Sequence, residues 1–518
     1  RMPSLMSGPN AMGGSVNIVT GSSRELRARA FAQGWGNFAE VSASASGAVG
    51  DLYWTTGASY SNQSRFPMPA DNVFKNDSGS YRTNSGSVKR GALVRLGWRP
   101  SADSEIALAV SHYDNDIDVP PNVHTDFPRW WRFTKWRKSL INIMHKFNLN
   151  EKWAINGNFY YEKYDNILDS YDGPEFNSQT KRYAFHSVYD DYGIGANLIT
   201  TIDYQWMPTT RAGLRIKHDN HSQSSHRGET FRTFEARTIS AAIEQEASFL
   251  ANRLSIYWGA GMDWLVPVYA DGDPIRDLDN SLNIQWGAAY QMKNNFKIHG
   301  HIARRNRFPT LKELYAELIG GYIPNPELTS ENSINYELGA GYSLYDFNFR
   351  SALFINDVND LIAVDYLPEN IRSFRNIGSA LYRGFELDAR WQPGEITASL
   401  NYTYVYSENT TPGAESSIIE HIPRHLFNAA LGYDFDYGAS FRAEFEFGGM
   451  MYSFNSNTRS QQQISDYGVI NIRADQRLFE NYNVFVRINN LTDRYYETEW
   501  GIPAPGRQIM LGAGFELN

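Results

Sequence analysis

Ile334-Asn335-Tyr336-Glu337-Leu338-Gly339-Ala340-Gly341-Tyr342 carries an apolar residue at every second position, with polar residues or glycine between them. Successive side chains of an extended strand leave opposite faces, so this stretch reads as a strand with one greasy face and one wet face. The design recurs over 396–406, where Ile396, Ala398, Leu400, Tyr402 and Tyr404 share one side and Thr397, Ser399, Asn401 and Thr403 the other. One strand design repeated along almost the whole chain predicts one closed sheet.

Composition agrees with this reading once a membrane is considered. The chain has 518 residues, 20% charged and 14% aromatic, with 41 glycines, and its mean hydropathy is −0.49. A soluble chain of this length divides into domains with helices and linkers; this one shows neither sustained 3.6-residue periodicity nor Pro- or Ser-rich linkers. No apolar run approaches the ~20 residues of a membrane helix, so any crossing must be made by strands. Alternation hides the hydrophobicity of a membrane barrel and keeps its average polar. A net charge of −9 argues against a nucleic-acid partner. The lack of cysteine removes any disulfide framework or thiolate metal site. No signal peptide is visible and the chain opens on Arg1, so it reads as a processed or trimmed piece.

Turn signals then count the strands. Short connections fall at 49–51, 99–104, 148–152, 206–209, 251–253, 292–295, 344–346, 393–395, 436–439 and 480–481. Between them lie eleven others, mostly long and rich in aromatic and charged residues, among them 63–87, 116–137, 166–182, 220–230, 266–280, 306–333, 407–423, 454–464 and 492–507. Ten short turns alternating with eleven loops predict an all-β, 22-stranded antiparallel transmembrane β-barrel with short turns on the periplasmic side and both barrel ends facing the periplasm. Facing supports it. Val94, Leu96 and Trp98 alternate with Arg95, Gly97 and Arg99, and Phe441, Ala443, Phe445 and Phe447 with Arg442, Glu444 and Glu446. An Arg or Lys on the lipid face near mid-bilayer costs about 2–4 kcal/mol, which explains why charges keep to one side. Trp35, Trp54, Trp153, Trp258, Trp286 and Trp391 fall near strand ends, as interface girdles do.

A barrel of this size has a lumen too wide for its own side chains and is typically plugged. Ser7-Gly8-Pro9-Asn10-Ala11-Met12-Gly13-Gly14-Ser15-Val16-Asn17-Ile18-Val19-Thr20 resembles the end of the plug domain of TonB-dependent outer-membrane receptors. Three more segments resemble the same family: Arg307-Phe308-Pro309-Thr310-Leu311-Lys312-Glu313-Leu314-Tyr315 followed by Asn325-Pro326-Glu327-Leu328; Asn376-Ile377-Gly378 through Arg383-Gly384-Phe385-Glu386-Leu387; and Asn489-Asn490-Leu491-Thr492-Asp493-Arg494-Tyr495-Tyr496 with Pro503-Ala504-Pro505-Gly506-Arg507. Physically these boxes are mainly structural, with prolines fixing loop directions and Asn490 and Asp493 suiting turns. The resemblance implies a plug remnant over 1–21 and a receptor barrel over 22–518. It also implies that the rest of the plug, and the peptide through which the TonB complex acts, lie upstream of Arg1. The chain departs from the family at Asn518, where an aromatic residue is usual.

Ligand candidates come from the loops. The stretch 119–136 interleaves Arg129, Arg132 and Lys135 with Trp130, Trp131, Phe133 and Trp136, a combination that holds an anionic, aromatic iron chelate by charge and stacking; packing against neighbouring loops is the alternative. Tyr315 and Tyr322, on the loop of the paired boxes, are further candidates. His218, His221 and His226 are metal candidates, with solvated loop histidines as the alternative. The family's haem receptors typically carry a His between the two boxes, and 310–324 has none. Asp169, Asp172 and Glu175, with Asp190 and Asp191, are candidates for a loop calcium ion, and Met2, Met6 and Met12 for a soft metal or plug packing. No resident cofactor and no catalytic constellation are expected. The expected protein is a monomeric barrel in the bacterial outer membrane, among lipid and lipopolysaccharide, importing a ferric siderophore. Cobalamin, haem or another metal complex is the alternative cargo, and a plugless channel or surface scaffold the alternative class.

Overall fold

The computed structural model describes residues 4–14, 25–70, 74–77, 79–204, 207–293, 295–315, 322–366, 372–414 and 416–517. Among the described residues, twenty-three strands share one sheet. One of them, Tyr322–Ile323, is a two-residue parallel addition to Arg372–Trp391; the other 22 close a barrel, each antiparallel to its neighbours. Closure is made by the first and last strands, Arg27–Trp35 and Gln508–Leu517, with Ala28 opposite Leu517. Among the described residues no helix is long and apolar enough to cross a membrane, and the strands do so instead.

The alternating pattern becomes an outer apolar surface and an inner polar one. Leu338, Leu353 and Leu431 are each more than half exposed on the outside, where lipid takes the place of a core. Arg95 and Arg99 turn inward to Glu105 at 3.4 and 2.6 Å. Lys217 lies inside, 3.0 Å from Glu162 and 2.8 Å from Asp219. Trp54, Trp98, Trp153, Trp258, Trp286 and Trp391 gather at the short-turn end, with Trp258 directly opposite Trp286. Trp35 lies at the other end, closing the tight turn to Phe38.

Each of the ten short turns falls between consecutive strands of the sheet. Several of the long connections are shorter than the sequence suggests, although those expected at 454–464 and 492–507 run instead over 449–466 and 490–507. The 116–137 loop is only 120–129, because Ser104–Val119 and Trp130–Asn150 continue past the expected boundary. Likewise Trp153–Tyr171, Thr209–Ser224 and Leu254–Ala270 extend into stretches read as loop. Alternation records only the part of a strand that lipid touches; above the apolar band both faces are wet, and pairing continues without the pattern. The barrel is therefore uneven in height. Trp130–Asn150 has 21 residues and Trp153–Tyr171 has 19, whereas Tyr482–Asn489 has 8 and Arg27–Trp35 has 9. About ten tilted residues cross a bilayer, so the tall wall stands well above the membrane and the seam does not.

Residues 4–10 lie inside the lumen against Thr209–Ser224, Arg232–Phe249 and Phe296–Arg307. The Ser4 hydroxyl donates to Glu244 at 2.8 Å and the Leu5 N–H to the same carboxylate at 2.5 Å. Arg215 donates to the Ser7 carbonyl at 2.5 Å, and the Asn10 N–H to the Asn306 carbonyl at 3.1 Å. The Ser15–Thr20 strand of the expected plug remnant, and the 21/22 boundary, fall outside the described residues.

Candidate ligand-binding site

The extracellular loops are tied to one another and to the rim. Arg82 and Asp77 form an ion pair at 2.7 Å with both side chains 1% exposed. Burial draws the Arg82 guanidinium below its ordinary value and Asp77 opposes that pull. Asn122 donates to the Trp500 carbonyl at 2.5 Å, and His124 contacts Glu497 at 2.6 Å. Loops 64–86, 120–129 and 490–507 thus act as one cap over the low side of the mouth.

On the tall side the candidate residues are not on a loop, as expected, but mostly on Trp130–Asn150, where a bulge between Phe133 and Lys135 resets their direction. With Ile141 and Ile143 facing lipid, the register sends Trp131, Phe133 and Trp136 inward and Trp130, Arg132 and Lys135 outward. The set is therefore split between two faces. Trp131 donates to the Ser170 hydroxyl at 3.0 Å and packs on Phe185. Phe133 and Trp136 pack together at 4.8 Å. Arg132 pairs with Asp118 at 3.0 Å and lies 3.7 Å over Phe176, while Lys135 pairs with Asp165 at 3.7 Å. These two cations are neutralised within the protein. Arg129 is placed differently: with Lys181 it flanks the Tyr183 ring, at 5.3 and 5.6 Å. Both line an open cleft of about 640 Å³ with Phe127, Trp130, Asp126 and Asp172.

The loop of the paired boxes folds by local rules. Thr310-Leu311-Lys312-Glu313 is a capping box: the Glu313 N–H donates to Thr310 Oγ1 at 3.2 Å and the Thr310 N–H to Glu313 Oε2 at 2.7 Å. It starts the short helix Leu311–Tyr315. Arg307 holds Glu331 through two bonds of 2.7 Å and reaches Glu313 at 3.0 Å. Leu314 and Tyr315 pack with Phe234, Ala270, Leu328 and Ile362, and the Tyr315 ring stacks on Phe234 at 4.8 Å. Tyr315, a ligand candidate by sequence, is 2% exposed and serves as an anchor of this loop. The backbone of Tyr322 pairs with Arg372; its side chain lies outside the described residues.

Lys312, on the same helix, was not singled out by sequence. Its side chain is exposed, and its ammonium lies 5.1 Å from the centre of the Tyr189 ring. Surrounding protein pulls that ammonium below the ordinary lysine value while Asp191 pulls the other way. The helical spacing was the available signal: with residues 311, 314 and 315 anchored, 312 must point elsewhere.

The histidines do not form one centre. His218 faces outward, 3.6 Å from Glu235; His221 faces inward, its Nδ1 2.8 Å from Asp191; His226 lies in the loop beyond, its carbonyl accepting from Ser224. Among the described residues no three His, Cys, Asp or Glu side chains are arranged to hold a metal ion. Asp169 and Asp172 face donors: Asp169 accepts from Thr134 at 2.8 Å and contacts His186 at 2.7 Å, and Asp172 accepts from the N–H groups of Thr180 and Lys181. Against the upward push of desolvation, those bonds hold the Asp172 carboxyl well below the usual range.

A closed barrel with a lipid-facing skin, a polar lumen and a loop cap defines an outer-membrane transport receptor. The family model "TonB dependent receptor-like, beta-barrel" matches residues 34–491, and the chain belongs to the TonB-dependent receptors. Solved structures share the fold at low identity. The "Copper transporter OprC" superposes with a TM-score of 0.84 at 16% identity, over 98% of this chain and 83% of that one. The ferric yersiniabactin uptake receptor FyuA of Yersinia pestis gives 0.79 at 17%, over 100% and 84%. The ferric enterobactin receptor PfeA of Pseudomonas aeruginosa gives 0.78 at 15%, over 99% and 84%.

Proposed function

We propose that this receptor takes up a ferric siderophore, an anionic iron chelate too large for open pores, by binding it at the extracellular mouth and passing it through the lumen with energy drawn from the TonB complex. The carrying observation is the cleft in which Arg129 and Lys181 flank Tyr183 beside Trp130 and Phe127. Cations set against aromatic faces suit a ligand that is both negatively charged and ring-bearing. FyuA and PfeA, named for ferric siderophores, share the fold and lend support.

Tryptophan-fluorescence titration of the detergent-folded receptor with ferric tris-catecholate, a ferric trihydroxamate, haem and cobalamin tests the reading, with Trp130 in the cleft as reporter. Saturable quenching by a ferric chelate, weakened in Arg129→Ala, is the expected result. Quenching by cobalamin or haem alone would replace the siderophore assignment.

A further inference from the structure

The outer cleft leaves the inner wall of the mouth without an assigned role, and one cluster there is built from three separate segments. Tyr189 and His221 lie on adjacent strands, Phe185–Ile202 and Thr209–Ser224, with ring centres 5.0 Å apart. Both follow the lumen-facing register, opposite in phase to the lipid-facing Ile194, Leu198, Leu214 and Ile216. The capped helix of the 308–330 loop brings Lys312 onto the same Tyr189 ring.

We propose that Lys312, Tyr189 and His221 form an inner anion-recognition site, which takes a carboxylate, catecholate or similar oxyanion edge of the chelate as it leaves the outer cleft. The proposal rests on the receptor reading above.

Two independent features support it. Among the described residues Lys312 has no carboxylate within ion-pair distance; its ammonium rests on an aromatic face and stays open to solvent. His221 is 6% exposed, and its Nε2 has no hydrogen-bond partner among the described residues. An orphaned buried ring nitrogen costs free energy unless something arrives to satisfy it. Asp191, the nearest acid, is already engaged by His221 Nδ1 at 2.8 Å and the Ser222 N–H at 3.2 Å. Tyr164 stands opposite Asp191 in register, adding another phenol to the wall. Because Nδ1 donates to the Asp191 carboxylate, Nε2 of the neutral His221 ring is an acceptor and suits a hydroxyl or amide donor of the chelate, while the Lys312 ammonium beside the Tyr189 ring meets its oxyanion edge. An oxygen-rich anion with aromatic character fits that set.

Two measurements on the full chain test it. In the first, ferric tris-catecholate (a trianion) and a neutral ferric trihydroxamate are titrated into the wild type, Lys312→Met, Lys312→Gln and Lys312→Arg. The Met and Gln variants should weaken binding of the trianion by about ten-fold and spare the neutral complex, with Arg close to wild type. In the second, Tyr189→Cys, a unique thiol because the chain has no cysteine, is labelled with anionic and cationic methanethiosulfonates. Adding Lys312→Met should lower the anionic-to-cationic rate ratio several-fold. Unchanged affinity for a bound trianion, or an unchanged ratio, overturns the site. If no ferric chelate binds the wild type but the ratio falls, the anion site stands and the siderophore reading fails.

Discussion

His124 and Glu497 meet across 373 positions of sequence, Nε2 to Oε1 at 2.6 Å, and join two loops of the cap. Burial alone would raise the Glu497 carboxyl, but hydrogen bonds from His124, the Tyr495 hydroxyl and the Gly501 N–H outweigh it and hold the group below the ordinary 4.5. A carboxyl depressed in the folded state stabilises fully above its unfolded value and loses that contribution as pH falls through the folded one. Protease cleavage within 490–507 should therefore be slow above about pH 4.5 and accelerate below it. Glu497→Gln should abolish the acid dependence and loosen the cap by about 1–3 kcal/mol at neutral pH.

Leu338, on the lipid face, and Glu337, its lumen-facing neighbour, separate the two environments within one strand. Leu338→Arg should cost about 2–4 kcal/mol in reversible unfolding from lipid vesicles. Glu337→Gln, which exchanges one polar partner of His299 for another, should cost about 1 kcal/mol. Equal losses at the two positions would contradict the assigned facing.

Tyr53 stands directly opposite Gly97 and lays its phenol across it, so a Cβ at position 97 would collide with the ring. Gly97→Val should destabilise the barrel by about 1–3 kcal/mol through overpacking. Adding Tyr53→Ala should recover part of that loss, giving a non-additive cycle in urea unfolding.

Glu331 accepts both nitrogens of Arg307 and the N–H of Ile362, with its side chain 4% exposed. Glu331→Ala leaves Arg307 half-buried beside Glu313 alone, and about 3 kcal/mol of loop anchoring should be lost. Cleavage within 308–330 should become fast while the heat-modifiable mobility of the folded barrel persists.

The sequence made the membrane part of this architecture readable and its tops unreadable, for one reason. Lipid imposes alternation on residues such as Val94, Leu96 and Trp98, and turns such as 344–346 interrupt it cleanly, so strand number followed. Beyond the lipid, Trp130 to Lys135 carry no such constraint, and the bulge after Phe133 sends neighbouring candidates to opposite faces. Arg129 and Trp130 do share a cleft, but with Lys181 and Tyr183, more than fifty positions away in sequence. Tyr315 looked like a loop aromatic and is a buried anchor; Lys312, three positions before it, is the residue left exposed. Burial of a loop side chain depends on which distant strand it meets, and a single sequence does not record that.

The seam has a consequence for biogenesis. Arg29 and Glu516, 487 positions apart, form their ion pair only across the first and last strands. Until the final residues are in place, Arg27–Trp35 presents an unpaired edge, and each added hairpin presents another. Open edges invite pairing with other chains, and contacts of such long range form slowly. The periplasmic chain must therefore be held apart from its own kind until the last strand arrives, and truncation within 508–517 should yield aggregates rather than a smaller barrel.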